Sequence, residues 1–186
     1  GYFGSYSKCK KLSLSEIEEK LKSGLSFVIR LNSQGDFSKQ HTYYDLVKGE
    51  VHYFENDMDI VLLKSDNGLP TYHFAHAVDD YLMGTTHVIR GDEWLSSLPV
   101  HLQLFETLGV EPPKYAHISP VMKNDQGTIR KLSKRKDPEA SVNYYQELGI
   151  PVEVVKLYLK TLINTNFEEW YLSDSSEEFL FSFDKM

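Results

Sequence analysis

The densest run of chemically active side chains in this sequence lies between Arg130 and Lys136. Five of these seven residues are cationic, although the whole chain has a formal net charge of -7. Neighbouring cations repel one another, and an anionic partner such as a triphosphate or a nucleic-acid backbone would offset that repulsion. A solvated turn between two elements is the alternative that composition alone leaves open.

A second set of polar side chains lies where predicted strands and turns end. It consists of Tyr72 after a proline turn, Arg90 at the end of a strand, and Asp92, Glu93 and Trp94 at the start of a helix. Arg90 could hold a carboxylate through two parallel hydrogen bonds. Trp94 could pack on a flat group such as a purine. In the alternative interpretation, Asp92 or Glu93 complements the helix dipole and Trp94 lies in the core.

The patterns that could bind a metal ion are weak. Asp79 and Asp80 could form a metal pair, but we favour an exposed acidic face or one Asp that accepts a hydrogen bond from nearby backbone. His73 and His76 are three residues apart without an HExxH motif or comparable ligand spacing. Cys9 is the only cysteine, which excludes an internal disulfide and a zinc site built from cysteines alone. We therefore predict no metal site, and neither standard glycine-rich phosphate loop is present.

Composition places the chain among ordinary globular proteins. Hydrophobic residues make up 41% and charged residues 25% of the 186 residues, enough for one domain or two small ones. The aliphatic run at 60–63 is far too short to span a bilayer, and no signal peptide is apparent. These features predict a cytoplasmic protein without a membrane partner. The acidic balance also restricts any nucleic-acid contact to a local patch.

The elements that must position these residues can be outlined from periodicity and capping signals. A helix is predicted at 13–24, where Ser13 with Glu16 and Ser15 with Glu18 both fit a capping box. The strands predicted in the first third are 27–31, 50–54 and 60–64. Further on we predict helices at 74–83 and 93–108, stopped by Gly84 and Gly109, and strands at 86–90 and 114–119. Helices are also predicted at 138–148, 151–163 and 176–181. The alternation of helices and strands in the middle of the chain indicates an α/β fold with βαβ units and a parallel sheet, in which ligands bind beyond the carboxyl ends of the strands.

Several segments resemble, in order, one family: the class I glutamyl-tRNA synthetases. The segment Lys131-Leu132-Ser133-Lys134-Arg135 resembles the second class I signature, written KMSKS and commonly KLSKR in this family. Other matching segments are 69–75, which resembles the PTY stretch, 78–84, which resembles DDHLMG, and then 87–94, 109–113, 115–117 and 141–145. The resemblance runs from about Leu12 to Trp170.

The resemblance implies a fold class and a domain order. Residues 1–65 would belong to an inserted acceptor-binding α+β domain, 66–137 to the second half of a Rossmann-like catalytic domain, and 138–186 to the start of a helical stem-contact domain. The first class I signature, HIGH, does not occur in the sequence. The resemblance therefore implies a central segment of a longer enzyme that is inactive alone. Tyr6 and Cys9 resemble the end of a zinc-binding element, but zinc is not expected in this segment.

The resemblance also implies roles for individual residues. Those that would contact glutamate are Tyr72, His76 and Arg90, and those that would bind ATP are Glu93, Trp94, Leu132, Ser133 and Lys134. Within the KLSKR motif, Lys134 would be the catalytic residue, because a cation stabilises the triphosphate while its α-phosphate is attacked.

The implied enzyme is a glutamate–tRNA ligase. It would activate glutamate with ATP, accompanied by Mg²⁺, to glutamyl-adenylate and transfer it to the 3′ end of tRNA(Glu), acting as a monomer. Two alternatives remain: a non-catalytic nucleotide- or tRNA-binding module, and a glutaminyl-tRNA synthetase relative. The stretch from Arg90 to Trp94 argues against the second.

Overall fold

The computed structural model describes residues 6–173 as a mixed α/β structure. The helix predicted at 176–181 lies outside the described residues. The chain forms two compact units. Among the described residues, the first unit contains 6–45, 50–88 and 93–115, and the second contains 46–49, 89–92 and 116–173. The three domains implied by the resemblance remain predictions.

Helix α1 (Leu14–Lys22) confirms the predicted helix and shows which capping box forms. The Ser13 hydroxyl accepts a hydrogen bond from the Glu16 amide, and the Glu16 carboxylate accepts one from the Ser13 amide at 2.7 Å. Ser15 does not cap the helix; its hydroxyl lies 3.0 Å from that of Ser13. The first of the two candidate boxes is therefore the one that starts α1.

This difference gives a test of the capping assignment. Replacing Ser13 with alanine should weaken α1 by about 1 kcal/mol, because the Glu16 amide loses its acceptor. Amide hydrogen exchange across residues 14–22 should then accelerate roughly fivefold. The matched variant Ser15→Ala should leave exchange in α1 close to that of the unmodified chain. Equal acceleration in both variants would contradict the assignment.

Two strand pairs follow in the first unit. Strand β1 (Ile29–Arg30) pairs antiparallel with β4 (Val61–Leu63), and β2 (Gln40–Asp45) pairs with β3 (Gly49–Phe54). The strand predicted at 27–31 is therefore too long, because its partner β4 has only three residues. Strand β2 was not predicted, since its sequence QHTYYD lacks alternating aliphatic residues.

The middle of the chain forms helix α2 (Tyr72–Met83), strand β5 (His87–Gly91), helix α3 (Leu98–Leu108) and strand β6 (Lys114–Ile118). The single helix predicted at 93–108 is wrong. Residues Asp92–Ser97 form a 3-10 helix and α3 begins only at Leu98. Pro99 lies in the first turn of α3, where its missing amide costs no hydrogen bond; deeper in a longer helix it would break the ladder.

Helices α2 and α3 enclose the core of the first unit. Buried Ala77 of α2 meets Val100, Leu104 and Phe105 of α3, and Leu31 packs against the same cluster. Both helices end at a glycine in the left-handed conformation, as predicted: Gly84 has φ 66° and Gly109 has φ 68°. The α2–α3 packing fixes the faces on which the predicted site residues of α2 lie.

Strand β5 pairs with β6, and α3 lies between them in the chain. The Lys114 amide at the start of β6 donates to the carbonyl of Thr86 just before β5, while Arg90 and His117 near the ends of the two strands are bonded to each other. The starts of β5 and β6 therefore lie side by side, so the two strands run parallel, as in a βαβ unit. Every sheet found among residues 6–173 has two strands, so the predicted parallel sheet is limited there to this pair.

The second unit contains a hairpin that was not predicted. Strands β7 (Met122–Asp125) and β8 (Thr128–Lys131) pair antiparallel, and both residues of the connecting turn, Gln126 and Gly127, have positive φ. Its strand sequences, MKND and TIRK, are polar, so no hydrophobic alternation indicated strands there. Arg130 and Lys131 therefore lie on a strand and only the rest of the basic run forms a turn.

Helices complete the second unit: α4 (Val142–Glu147), α5 (Val152–Ile163) and α6 (Thr165–Leu172). The helix predicted at 138–148 is interrupted, because Ser141 is extended between a 3-10 helix (Pro138–Ala140) and α4. The prediction of α5 is confirmed, with Pro151 as its N-cap. Within residues 6–173, no helix has the length and apolar character needed to cross a membrane.

Candidate functional site

Three aromatic rings, from α2 and from the 3-10 helix before α3, lie together in the first unit, and only that of Tyr72 is exposed. Tyr72 and His76 lie one helical turn apart and their rings stack, with centroids 6.1 Å apart and planes at 11°. The Trp94 ring lies 4.7 Å from that of Tyr72, although the two residues belong to different elements. Tyr72 remains 53% exposed. Two of the residues predicted to bind glutamate and one predicted to bind ATP therefore lie together.

His76 is held at both ring nitrogens. Its Nδ1 lies 2.6 Å from a carboxylate oxygen of Asp80, one turn further along α2, and its Nε2 lies 2.9 Å from the buried Tyr115 hydroxyl. Asp79 is exposed, as one of the two expected alternatives had it, whereas Asp80 orients a side chain and not backbone. A ring held in this way presents a fixed face to its surroundings, so His76 is suited to shape a pocket.

Arg90 is positioned by a buried histidine in the second unit. Its Nε donates to Nε2 of His117 at 2.9 Å, and His117 is fully buried. A nitrogen that accepts this bond carries no proton, so the imidazole acts here as a neutral acceptor. The bond uses only the Nε–H of the guanidinium fork, which has five donors in total. Arg90 thus has the chemistry for binding a carboxylate while its stem is held in place.

The basic run divides into two parts with different electrostatics. Arg130 donates from both terminal nitrogens to the two oxygens of Asp137 at 2.7 Å, and from Nε to Asp125 at 2.7 Å. Its charge is therefore balanced within the chain, which corrects the expectation that the whole run needs an external anion.

The acidic partner of this pair is stabilised in its charged form. The Arg130 guanidinium, followed by the Ser133 amide, holds the pKa of the Asp137 carboxyl well below its usual range. Because the pKa is lowered on folding, the resulting stabilisation is complete above about pH 4, the usual carboxyl range, and is lost only as the pH falls below it. The Arg130–Asp137 pair should therefore be fully formed throughout the neutral range.

Three of the remaining cations, Lys134, Arg135 and Lys136, lie in an exposed turn. The carbonyl of Ser133 accepts hydrogen bonds from the amides of Lys136 and Asp137, at 3.1 and 2.8 Å, which closes the turn over Lys134–Lys136. In the part of the chain that the structure describes, these three exposed residues form no ion pair. An anion that approaches the turn therefore meets three cationic side chains in sequence.

The backbone amides of the KLSKR motif have partners inside the chain. The Leu132 amide donates to the carbonyl of Val121 at 2.9 Å, and the Ser133 amide donates to Asp137 at 2.8 Å. Contact between these amides and a triphosphate would require those bonds to open. The Lys134 ammonium needs no such rearrangement.

Of the other predicted residues, Glu93 is exposed on the 3-10 helix before α3. Its neighbour Asp92 forms an ion pair with Lys48 at 3.5 Å and accepts a hydrogen bond from Ser119 at 3.3 Å, so it does more than complement a helix dipole. The first unit thus holds Tyr72, His76, Glu93 and Trp94, and the second holds Arg90 and residues 131–135.

Sequence reasoning missed two residues that position the predicted ones: His117 beside Arg90 and Asp137 beside Arg130. A signal existed for Asp137, because it is the first acid after the basic run. A polar cavity of about 460 Å³, lined by Lys39, His41 and Glu55 among others, contains none of the predicted residues, whereas a cavity of about 330 Å³ in the second unit is lined in part by Leu132.

Metal-binding side chains are not clustered in the described region. No group of three or more histidine, cysteine, aspartate and glutamate side chains in residues 6–173 is arranged to hold an ion. Cys9 is exposed. A Mg²⁺ ion that arrives with a nucleotide would need no such protein cage, since it is held mainly by phosphates and water.

Comparison with known proteins gives consistent matches. A family model described as "tRNA synthetases class I (E and Q), catalytic domain" matches residues 3–177. A glutamate–tRNA ligase of Clostridium beijerinckii is 55% identical over 170 residues, which are 91% of this chain and 31% of that protein. One from Acetivibrio thermocellus is 48% identical over 189 residues, which cover 100% of this chain and 34% of that protein.

A solved structure is also similar. The crystal structure of a glutamate tRNA ligase from Elizabethkingia meningosepticum in complex with its amino acid matches with a TM-score of 0.59 and 38% identity, covering 68% of this chain and 24% of that one. The chain thus spans about a third of the length of the curated relatives that it matches.

Proposed function

Because the chain belongs to the family of class I tRNA synthetase (E and Q) catalytic domains, we propose that it is a segment of a glutamate–tRNA ligase. The observation that carries this proposal is the exposed turn of the KLSKR motif, in which Lys134 is presented without an ion pair among the described residues. The similarity to ligases named for glutamate, over 91% of the chain, favours glutamate over glutamine as the amino acid.

The proposed reaction has two steps. A carboxylate oxygen of glutamate attacks the α-phosphorus of ATP, the bond to the bridging oxygen breaks, and pyrophosphate leaves with the electron pair. The resulting glutamyl-adenylate is then attacked by a hydroxyl at the 3′ end of tRNA(Glu), and AMP leaves. Negative charge builds on the pyrophosphate in the first step, so a preplaced cation lowers the barrier most effectively there.

The residues proposed to bind the nucleotide are those of the KLSKR turn in the second unit and residues 93–94 in the first. Lys134 stabilises the triphosphate, with Leu132 and Ser133 shaping the turn that presents it. Trp94 offers a ring face to the adenosine, and Glu93 an exposed carboxylate nearby in sequence. Mg²⁺ would enter with ATP and shield phosphate charge.

The residues proposed to contact the amino acid are Tyr72 and His76 in the first unit and Arg90 in the second. Arg90 pairs with a carboxylate of glutamate through its guanidinium, and Tyr72 and His76 contribute aromatic rings. The ligase would bind the acceptor end of tRNA through residues 1–65 and the stem through residues 138–186, and act as a cytoplasmic monomer.

Attachment of glutamate to tRNA tests this function directly. The complete protein that contains this chain should charge tRNA(Glu) with radiolabelled glutamate, whereas residues 1–186 alone should not, because the HIGH signature of the family is absent from this sequence. Charging with glutamine would favour the glutaminyl relative. Tight tRNA binding without any charging would favour the non-catalytic module.

The histidine behind Arg90 gives a further prediction. Replacing His117 with leucine removes the acceptor of the Arg90 Nε–H, and an unsatisfied buried donor costs about 1–3 kcal/mol. We expect kcat/KM for glutamate in the complete protein to fall roughly tenfold, with KM for ATP unchanged. His117→Gln, whose amide oxygen can accept the bond, should recover most of the loss. A fall in both variants alike would show that the bond does not position Arg90.

A further inference from the structure

Asp137 lies just outside the KLSKR motif, yet it contacts residues before and within it. It is 3% exposed, and its carboxylate accepts two hydrogen bonds from Arg130 at 2.7 Å, one from Lys123 at 3.1 Å and one from the Ser133 amide at 2.8 Å. A single buried carboxylate therefore joins strand β7, strand β8 and the turn that carries the motif.

The backbone of Asp137 closes the same turn. Its amide donates to the carbonyl of Ser133 at 2.8 Å, so Ser133 and Asp137 are joined in both directions, backbone to backbone and backbone to side chain. The residues between them, Lys134, Arg135 and Lys136, are all exposed. The double connection fixes the two ends of the turn and leaves its three cations pointing to solvent.

Some of the cations near the turn are neutralised by carboxylates inside the chain. Arg130 and Lys123 both form ion pairs with Asp137, and Lys123 also pairs with Glu139. Loss of the Asp137 carboxylate would leave the Ser133 amide without its acceptor and two cations under-compensated beside the turn. Such a change should release the turn, because an unpaired buried donor or charge is costly.

We propose that Asp137 is a positioning residue that latches the KLSKR turn and presents Lys134 to the triphosphate. Because the carboxylate occupies the Ser133 amide, ATP is held by the Lys134 side chain while that amide stays bonded to Asp137. This inference rests on the proposed function for its nucleotide, but the latch itself does not.

Trypsin cleavage in the complete protein tests the latch, because the turn contains several cleavage sites. Asp137→Asn and Asp137→Ala should accelerate cleavage after Lys131, Lys134, Arg135 and Lys136 by roughly tenfold, without acceleration elsewhere in the chain. Asp125→Asn is the matched control, since Asp125 contacts Arg130 without touching Ser133. It should cleave like the unmodified protein. Equal acceleration in the Asp125 and Asp137 variants, or acceleration in neither, would overturn the latch.

A kinetic split separates positioning from general stability. Misplacing a catalytic group by about 1 Å can cost about 100-fold. The Asp137 variants should therefore lose up to about 100-fold in kcat for pyrophosphate exchange, while KM for glutamate stays constant. If the unmodified protein shows no glutamate-dependent exchange but its turn is still protected through Asp137, the ligase proposal fails and the latch stands. If the unmodified protein shows normal glutamate-dependent pyrophosphate exchange but trypsin cleaves its turn rapidly, the latch fails and the ligase proposal stands.

Hydrogen exchange provides a measurement that needs no variant. The Ser133 amide should exchange slowly in the unmodified protein, and adding ATP should leave its protection unchanged, because the amide does not transfer from Asp137 to a phosphate. Fast exchange of this amide without ATP would overturn the proposal even if the Asp137 variants failed to fold.

Discussion

Replacing Lys134 with alanine is expected to lower the rate of glutamate-dependent pyrophosphate exchange by about 10²–10³-fold in the complete protein. The substitution removes a cation that, on this account, meets the charge developing on the leaving pyrophosphate. Lys134 is exposed and forms no ion pair among the described residues, so its loss should not disturb the fold. The loss should appear mainly in kcat, because the interaction strengthens in the transition state.

Lys136 supplies the matched control for this experiment. It lies in the same turn, is also exposed and carries the same charge, but stands outside the KLSKR motif. Lys136→Ala should reduce exchange only slightly, as expected for a cation that adds to the local potential. If both alanine variants reduce exchange equally, the turn acts through its summed charge and Lys134 has no particular role.

The second large effect is expected at Arg90. Replacing it with leucine removes the group proposed to pair with a carboxylate of glutamate, and truncating one partner of a buried charge pair costs about 2–5 kcal/mol. The specificity constant for glutamate should fall at least about 30-fold. Arg90→Lys keeps the charge but lacks the planar fork, so an intermediate loss is expected.

Measuring tRNA affinity distinguishes a ligase in which Arg90 binds glutamate from a protein that only binds tRNA. The Arg90→Leu variant should bind tRNA(Glu) with unchanged affinity while activating glutamate poorly. A variant with normal glutamate activation would remove Arg90 from the proposed site, and one that lost tRNA affinity instead would indicate that Arg90 contacts the nucleic acid.

Local sequence signals predicted the parts of the fold that depend on neighbouring residues. Helix α2 ends at Gly84 as expected, because a left-handed C-terminal residue favours glycine. The same reasoning located the end of α3, but it missed the start, since the chain before Pro99 adopts a 3-10 helix that periodicity does not distinguish from an α-helix. Helix boundaries that depend on one local backbone effect, such as a left-handed glycine, could therefore be predicted from the sequence.

Interactions between distant residues account for most of what was missed. The Arg90–His117 bond joins positions 27 residues apart, and nothing in either local pattern indicates the other. The hairpin of β7 and β8 has polar strands, so its pairing depends on the turn and on side-chain bonds rather than on a hydrophobic face. The ion pair between Arg130 and Asp137 depends on that hairpin and on the turn that follows it, so local sequence did not predict it.

Pyrophosphate exchange measured with different amino acids tests the central claim most directly. The complete protein should incorporate labelled pyrophosphate into ATP when glutamate is present and should not do so with glutamine or aspartate. Exchange should fall strongly in both the Lys134→Ala and Arg90→Leu variants. Exchange supported by glutamine instead of glutamate, or by no amino acid at all, would contradict the assignment of this chain to a glutamate–tRNA ligase.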